Sequence, residues 1–209
     1  TAKSKAGRFA CERPPTDESE IMAVLVSPLI LITLGLTLGV VAPLIEELGK
    51  TLVMGVMGIW VKPSQLTAFL WGAACGLGFA WFEGVSNGAL ALGESAGWAG
   101  SVGVRFFATA MHALTSGIIG LGWAAYWRPA HGRYRRWWLL FCYAIAAAFH
   151  GLWNLNVVFS LVGVAMSAVS PGLGSAPTVL GVIVQGGLIL VALGSIFSIP
   201  AVIRRRQQR

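Results

Sequence analysis

Apolar residues run in six long stretches, broken by short polar or Gly/Pro-rich connections. A helix needs about 20 largely apolar residues to cross the hydrocarbon core of a bilayer. The stretches predict spans over residues 21–41, 43–60, 65–90, 101–127, 136–160 and 178–203. Pro43 suits the first turn of a new helix and so separates the first two. Lys62-Pro63, residues 93–97, Arg128-Pro129 and the Gly/Pro/Ser-rich run 169–177 punctuate the rest. Neither an internal repeat nor a second domain is visible. The pattern predicts an all-α, polytopic transmembrane helical bundle of about six spans. Residues 1–20 form a hydrophilic N-terminal segment, 21–203 a single transmembrane domain and 204–209 a basic cytoplasmic tail.

Orientation follows from the basic residues. With six spans both termini share one side. That side then receives Lys3, Lys5, Arg8, Arg13, Lys62, Arg128, Arg133, Arg135, Arg136, Arg204, Arg205, Arg206 and Arg209, or 13 of the 15 Lys and Arg. The other two, Lys50 and Arg105, fall within spans. The positive-inside rule places both termini in the cytoplasm.

Composition narrows the function classes. Only 11% of the 209 residues are charged and 56% are hydrophobic, with a mean hydropathy of +0.74. A soluble domain carries about 25% charged residues. This excludes an ordinary soluble globule, a disordered tail and a nucleic-acid binder, despite the net charge of +7. The bilayer is the expected surrounding, and 27 glycines and nine tryptophans suit close helix packing and interfacial anchoring. Cys11, Cys75 and Cys142 have no metal-type spacing and read as packed thiols.

Ionisable side chains in lipid are costly, so each one inside a span is a candidate functional residue. Glu46, Glu47, Lys50, Glu83, Arg105, His112 and His150 qualify, with Asn154 as a neutral companion. At about 1.5 Å per residue, Glu46 and Glu47 lie roughly 5 Å below the outer end of the second span and Glu83 roughly 10 Å below that of the third. His112 and His150 lie roughly 15 Å below the outer ends of the fourth and fifth. Lys50 follows Glu46 by four residues and Glu47 by three, so it forms a supporting ion pair on one helical face. The helix dipole favours an acid pair in the first turn. His150 and Asn154, four apart, share a face.

Two close carboxylates tend to keep one proton between them. Such a pair suits activation of water followed by protonation of a leaving amine. A histidine and an asparagine one turn apart can donate to the oxyanion of a tetrahedral intermediate. This is the inventory of a peptide hydrolase with water as nucleophile. The same groups can ligate zinc; a metal, if held, is expected on Glu47, His112 and His150. Asp17 is the only aspartate and lies outside the spans, which excludes an intramembrane aspartyl dyad. No HExxH element occurs.

Three motifs resemble those of the PrsW family of polytopic membrane proteases, relatives of the CAAX prenyl endopeptidases and bacteriocin-processing membrane proteins. They are EExxK at Glu46, Glu47 and Lys50, FxxxE at Phe79 and Glu83, and HxxxN at His150 and Asn154. The resemblance covers roughly residues 40–160. It implies that Glu46 and Glu47 supply the water-activating carboxylates and that His150 and Asn154 form the oxyanion hole. Glu83 stands where the CAAX endopeptidases have a histidine, and His112 is the candidate for that proton-carrying role. It also implies cleavage of a membrane-tethered protein, an anti-sigma factor being the best-known substrate in bacteria.

Each residue has a plainer reading. Glu46, Glu47 and Lys50 can be an interfacial helix start, Glu83 a residue reaching the interface, and His112 or His150 packing groups. Arg105 reads as snorkelling to a headgroup, and Gly72-x-x-x-Gly76 as close helix packing. Convergence of four spans favours a site. The alternative functional class is a transporter or channel using the Glu/His cluster as a proton or cation relay.

Overall fold

The computed structural model describes residues 27–90, 95–128, 134–169 and 171–209. The N-terminal segment 1–20, with Cys11 and its four basic residues, lies outside them. So do part of the expected 93–97 connection and Arg133.

Every regular element among the described residues is helical: α1 (Pro28–Val61), α2 (Gln65–Leu90), α3 (Ser95–Tyr126), α4 (Tyr134–Val169) and α5 (Pro171–Gln207). All five contain a segment long and apolar enough to cross a membrane. The count of six is not reproduced among these residues, because the expected break at Pro43 is absent. Instead α1 passes through a π-helical turn, Thr37–Val41. Proline has no N–H, so Pro43 deprives a carbonyl in the preceding turn of its donor. The backbone widens rather than stops, and the Ala42 N–H reaches back five residues to Thr37 O. In that register the next donor would be Pro43 itself, which leaves Leu38 O without a backbone partner. At the far end Lys62 adopts the left-handed region (φ 45°), stops α1 and precedes Pro63.

The expected 169–177 loop is also helical over most of its length. Pro171 opens α5, where its missing N–H costs nothing, and Pro177 and Pro200 lie inside the helix. Membrane helices tolerate such prolines because neighbouring groups satisfy the freed backbone.

Glycine sets the closest approaches. A Cβ on Gly72 would strike Ser116 O, and one on Gly76 would strike His112 O, so α2 and α3 pack backbone to backbone. The small-residue spacing does what it does in other membrane helix pairs. At one end of the bundle Gly55 and Gly58 make room for the stacked rings of Trp123 and Trp127. Alanine is frequent in the interior (Ala68, Ala124, Ala146 and Ala192 are wholly enclosed), whereas Leu29, Trp60, Trp81, Phe106 and Phe197 are largely exposed. Large apolar side chains facing outward and small ones inward is the distribution expected with lipid as solvent.

The contacts fix the helix directions. α2 runs antiparallel to α3, with Ala68 beside Gly120 and Gly76 beside His112; α4 runs antiparallel to α5, with Gly163 beside Thr178. α1 runs parallel to α3, Glu47 meeting Thr115 and Gly58 meeting Trp127. Lys62, Arg128, Arg135 and the tail Arg204–Arg206 therefore collect at one end. Pro28 lies at the other, so the described chain starts and finishes on opposite ends of the bundle. The expectation of both termini on one side is not reproduced for these residues.

Candidate active site

The continuity of α1 changes where the acid pair sits. Glu46 lies 18 residues beyond Pro28, about 27 Å along the helix. The pair is in mid-helix, not in a first turn, and no free helix N-terminus stabilises it. Its stabilisation comes from side chains on α1, α3 and α4.

Glu47 is wholly enclosed and ringed by donors. Lys50 Nζ lies 2.9 Å from its Oε1, Thr115 Oγ1 donates to Oε1 at 3.0 Å, and Ser116 Oγ donates to Oε2 at 3.3 Å. His150 Nδ1 completes the ring at 2.9 Å from Oε1. The Lys50 ammonium also meets His112 Nδ1 at 2.8 Å, and it forms a longer ion pair with Glu46 Oε2 at 3.4 Å without a hydrogen bond. The Phe79 ring lies 4.1 Å below it as a cation–π partner. The ion pair read from the spacing is present, and Phe79 of the FxxxE motif is part of it.

These partners set the histidine tautomers. An ammonium has no lone pair, so His112 Nδ1 accepts from Lys50 and its Nε2–H donates to Glu83 Oε2 at 3.0 Å. The other oxygen of Glu83 is held by Arg105 Nη1 at 2.5 Å. Arg105, read from the sequence as snorkelling, thus turns inward onto the site; the available signal was only that it is a cation within a span. Thr115 and Ser116, three and four residues after His112, stand beside it in the sequence but carry no role there that points to Glu47, because hydroxyls in a membrane helix are commonplace. His150 Nδ1–H donates to Glu47, so in the neutral ring the Nε2 lone pair faces Glu46 Oε2 across 3.7 Å. The His112 and His150 rings meet edge to face at 4.9 Å.

Asn154 stands apart from this network. Its Nδ2 donates to Leu38 O at 2.9 Å, the carbonyl left without a donor by the π turn and Pro43. Asn154→Ala should therefore lower stability by about 1 kcal/mol, the usual net worth of such a bond. Thermal unfolding in mild detergent reads this directly, and an unchanged midpoint would show that Leu38 O finds another donor.

A cavity of about 200 Å³ adjoins the cluster. Glu46, Glu83, Arg105, His112 and Asn154 form its polar side, and the apolar wall includes Leu38, Met111, Val157 and Leu161. Glu47 and His150 stand behind that lining. The cavity extends from Glu46 toward Leu38 and from Trp153 toward Leu161, away from the basic end.

The donor set suits a metal ion. Glu46 Oε2 is buried without a hydrogen-bond partner, and it faces an imidazole lone pair. Two acceptors turned toward each other call for a cation between them. Their 3.7 Å separation is near the edge of a zinc tetrahedron, about 3.4 Å for bonds of about 2.1 Å. Glu46, His112 and His150 offer ligand atoms that all lie within 4.8 Å of one another. The trio therefore contains Glu46, where the sequence reading had Glu47. Glu47 instead holds the far nitrogen of His150, the usual carboxylate–histidine support of a metal ligand. To hold an ion with the other two, His112 would give up its contact with Lys50 or with Glu83.

Fold and site together define a multi-pass membrane protein with an enclosed glutamate–histidine centre that can bind a divalent metal. The family model of the PrsW intramembrane metalloproteases matches residues 19–195, and the chain belongs to that family. It is a membrane protease, a peptide hydrolase of the metalloprotease kind. No curated protein and no solved structure matches it.

Proposed function

We propose that the protein cleaves a peptide bond of a membrane-tethered substrate in the cavity lined by Glu46, Glu83, Arg105 and His112. The observation that carries this reading is the division of labour among the carboxylates. Glu47 is saturated by donors and serves to orient, whereas Glu46 and Glu83 face the cavity. Glu46, His112 and His150 would hold the metal, which when bound polarises the scissile carbonyl and the attacking water. Glu83 is the remaining cavity carboxylate. It takes the proton from the water and returns it to the leaving amine, held in place by Arg105. This moves the water-activating role from the Glu46–Glu47 pair to Glu83.

The positive-inside rule supports a cytoplasmic position for the end bearing Lys62, Arg128, Arg135 and Arg204–Arg206. The cavity then opens toward the outer leaflet of a bacterial plasma membrane. Outer-side cleavage of a single-pass protein such as an anti-sigma factor fits that geometry.

The test is co-expression with a panel of single-pass membrane proteins from the same host, read as fragments on a blot, with the metal content of purified protein measured in parallel. Glu46→Gln should lose both fragment and metal. Glu83→Gln should keep the metal and slow cleavage about 10²–10⁴-fold. Full cleavage by Glu83→Gln would remove it as the base. A panel with no fragment dependent on Glu46 would overturn the hydrolase reading.

A further inference from the structure

The sequence assigns the oxyanion-binding donors to His150 and Asn154, but the structure commits His150 elsewhere and ties Asn154 to the backbone. His150 Nδ1–H goes to Glu47 and its Nε2 faces a carboxylate oxygen; Asn154 gives one Nδ2 hydrogen to Leu38 O and keeps one neutral N–H, a weaker donor to an anion than a charged group. His112 Nε2–H is taken by Glu83. Tetrahedral intermediates need a donor aimed at the developing negative charge, and the donor must sit on the cavity. Among the described lining residues Arg105 is the one cation. Its guanidinium carries five N–H groups, and its ion pair with Glu83 runs through Nη1.

We infer that Arg105 is a catalytic residue whose guanidinium binds the scissile carbonyl oxygen and stabilises its negative charge in the tetrahedral intermediate. The inference rests on the hydrolase reading and deepens it. Arg105 and Glu83 are then a functional pair. One group takes the proton of the attacking water and the other takes the charge that the attack creates, 2.5 Å apart on adjacent helices. The oxyanion lies on the side of the cavity lined by α2 and α3. The substrate side chain nearest the scissile bond faces the opposite wall of Leu38, Val157 and Leu161, which fits a branched aliphatic residue.

The experiment measures, on purified full-length protein in detergent, the binding of a trileucine phosphinic isostere and of its parent trileucine amide. The phosphinate carries a tetrahedral anionic centre and the amide does not. Arg105→Gln should weaken the phosphinate about 100-fold, the scale of one lost oxyanion donor, and change the amide less than about threefold. Arg105→Lys, which keeps the charge but not the fork, should recover part of the loss.

Kinetics on the panel substrate supply the second arm. Arg105→Gln should lower kcat with KM nearly unchanged, and should lower it further in a Glu83→Gln background. Equal weakening of both ligands, or a double variant no slower than Glu83→Gln alone, would show that Arg105 merely holds Glu83 and would overturn the inference. If the wild type cleaves nothing in the panel and binds neither ligand, the hydrolase reading falls and the inference with it. Cleavage by the wild type that is untouched by Arg105→Gln overturns the inference alone.

Discussion

Glu47→Ala is expected to destabilise the folded protein by about 3–5 kcal/mol, the usual consequence of breaking a buried ion pair from one side. The substitution strands the Lys50 ammonium and removes the acceptor shared by Thr115, Ser116 and His150. Each of those donors sits in the interior, where an unpaired polar group bears its full desolvation cost. The loss should appear as a fall in the thermal midpoint in detergent and in the yield of monodisperse protein. Glu83→Gln is the control, because Glu83 sits at the cavity and its amide can still meet Arg105 or His112. If Glu47→Ala matched the wild type in stability, the enclosed-anion description of Glu47 would be wrong.

Gly76→Ala should be nearly as damaging and would act on function more directly. Its methyl group meets the backbone carbonyl of His112, which cannot rotate away, so α2 and α3 must separate. The separation falls at the His112–Glu83 hydrogen bond. An overpacking cost of about 1–3 kcal/mol is expected, together with at least a tenfold loss of cleavage from a site loosened by about 1 Å. Gly78→Ala, two residues along and with nothing within 4 Å of the new methyl, should be neutral or slightly stabilising. Equal activity of the two variants would show that the α2–α3 contact does not position the site.

Much of this was legible in the sequence because lipid makes polar residues conspicuous. The spans over 65–90 and 136–160, the pairing of Lys50 with both glutamates, and the close packing at Gly72 and Gly76 all follow from periodicity and spacing. The failures have specific causes. Pro43 announces a helix start as readily as a π turn; what decides is Asn154, more than a hundred residues away, which supplies the missing donor. The roles of Glu46 and Glu47 could not be separated either. Adjacent residues on a helix point about 100° apart, and only the positions of α3 and α4 determine which one is enclosed. Arg105 was misread because a cation in a span snorkels unless an acid on another helix meets it, and sequence alone does not show its meeting with Glu83.

The enclosure of Glu47 also has a consequence for the order of synthesis. Its partner Thr115 follows 68 residues later and His150 follows 103 residues later. At 5–20 residues per second, α1 waits roughly 3–14 s for the first of them. During that interval two carboxylates must enter or border the bilayer before α3 or α4 supplies a donor. Only Lys50, one turn away, is already present. The EExxK spacing thus lets the nascent helix carry its own countercharge until the partner helices emerge. A helix lacking Lys50 would reach the insertion machinery with two unopposed negative charges, before any active site existed to need them.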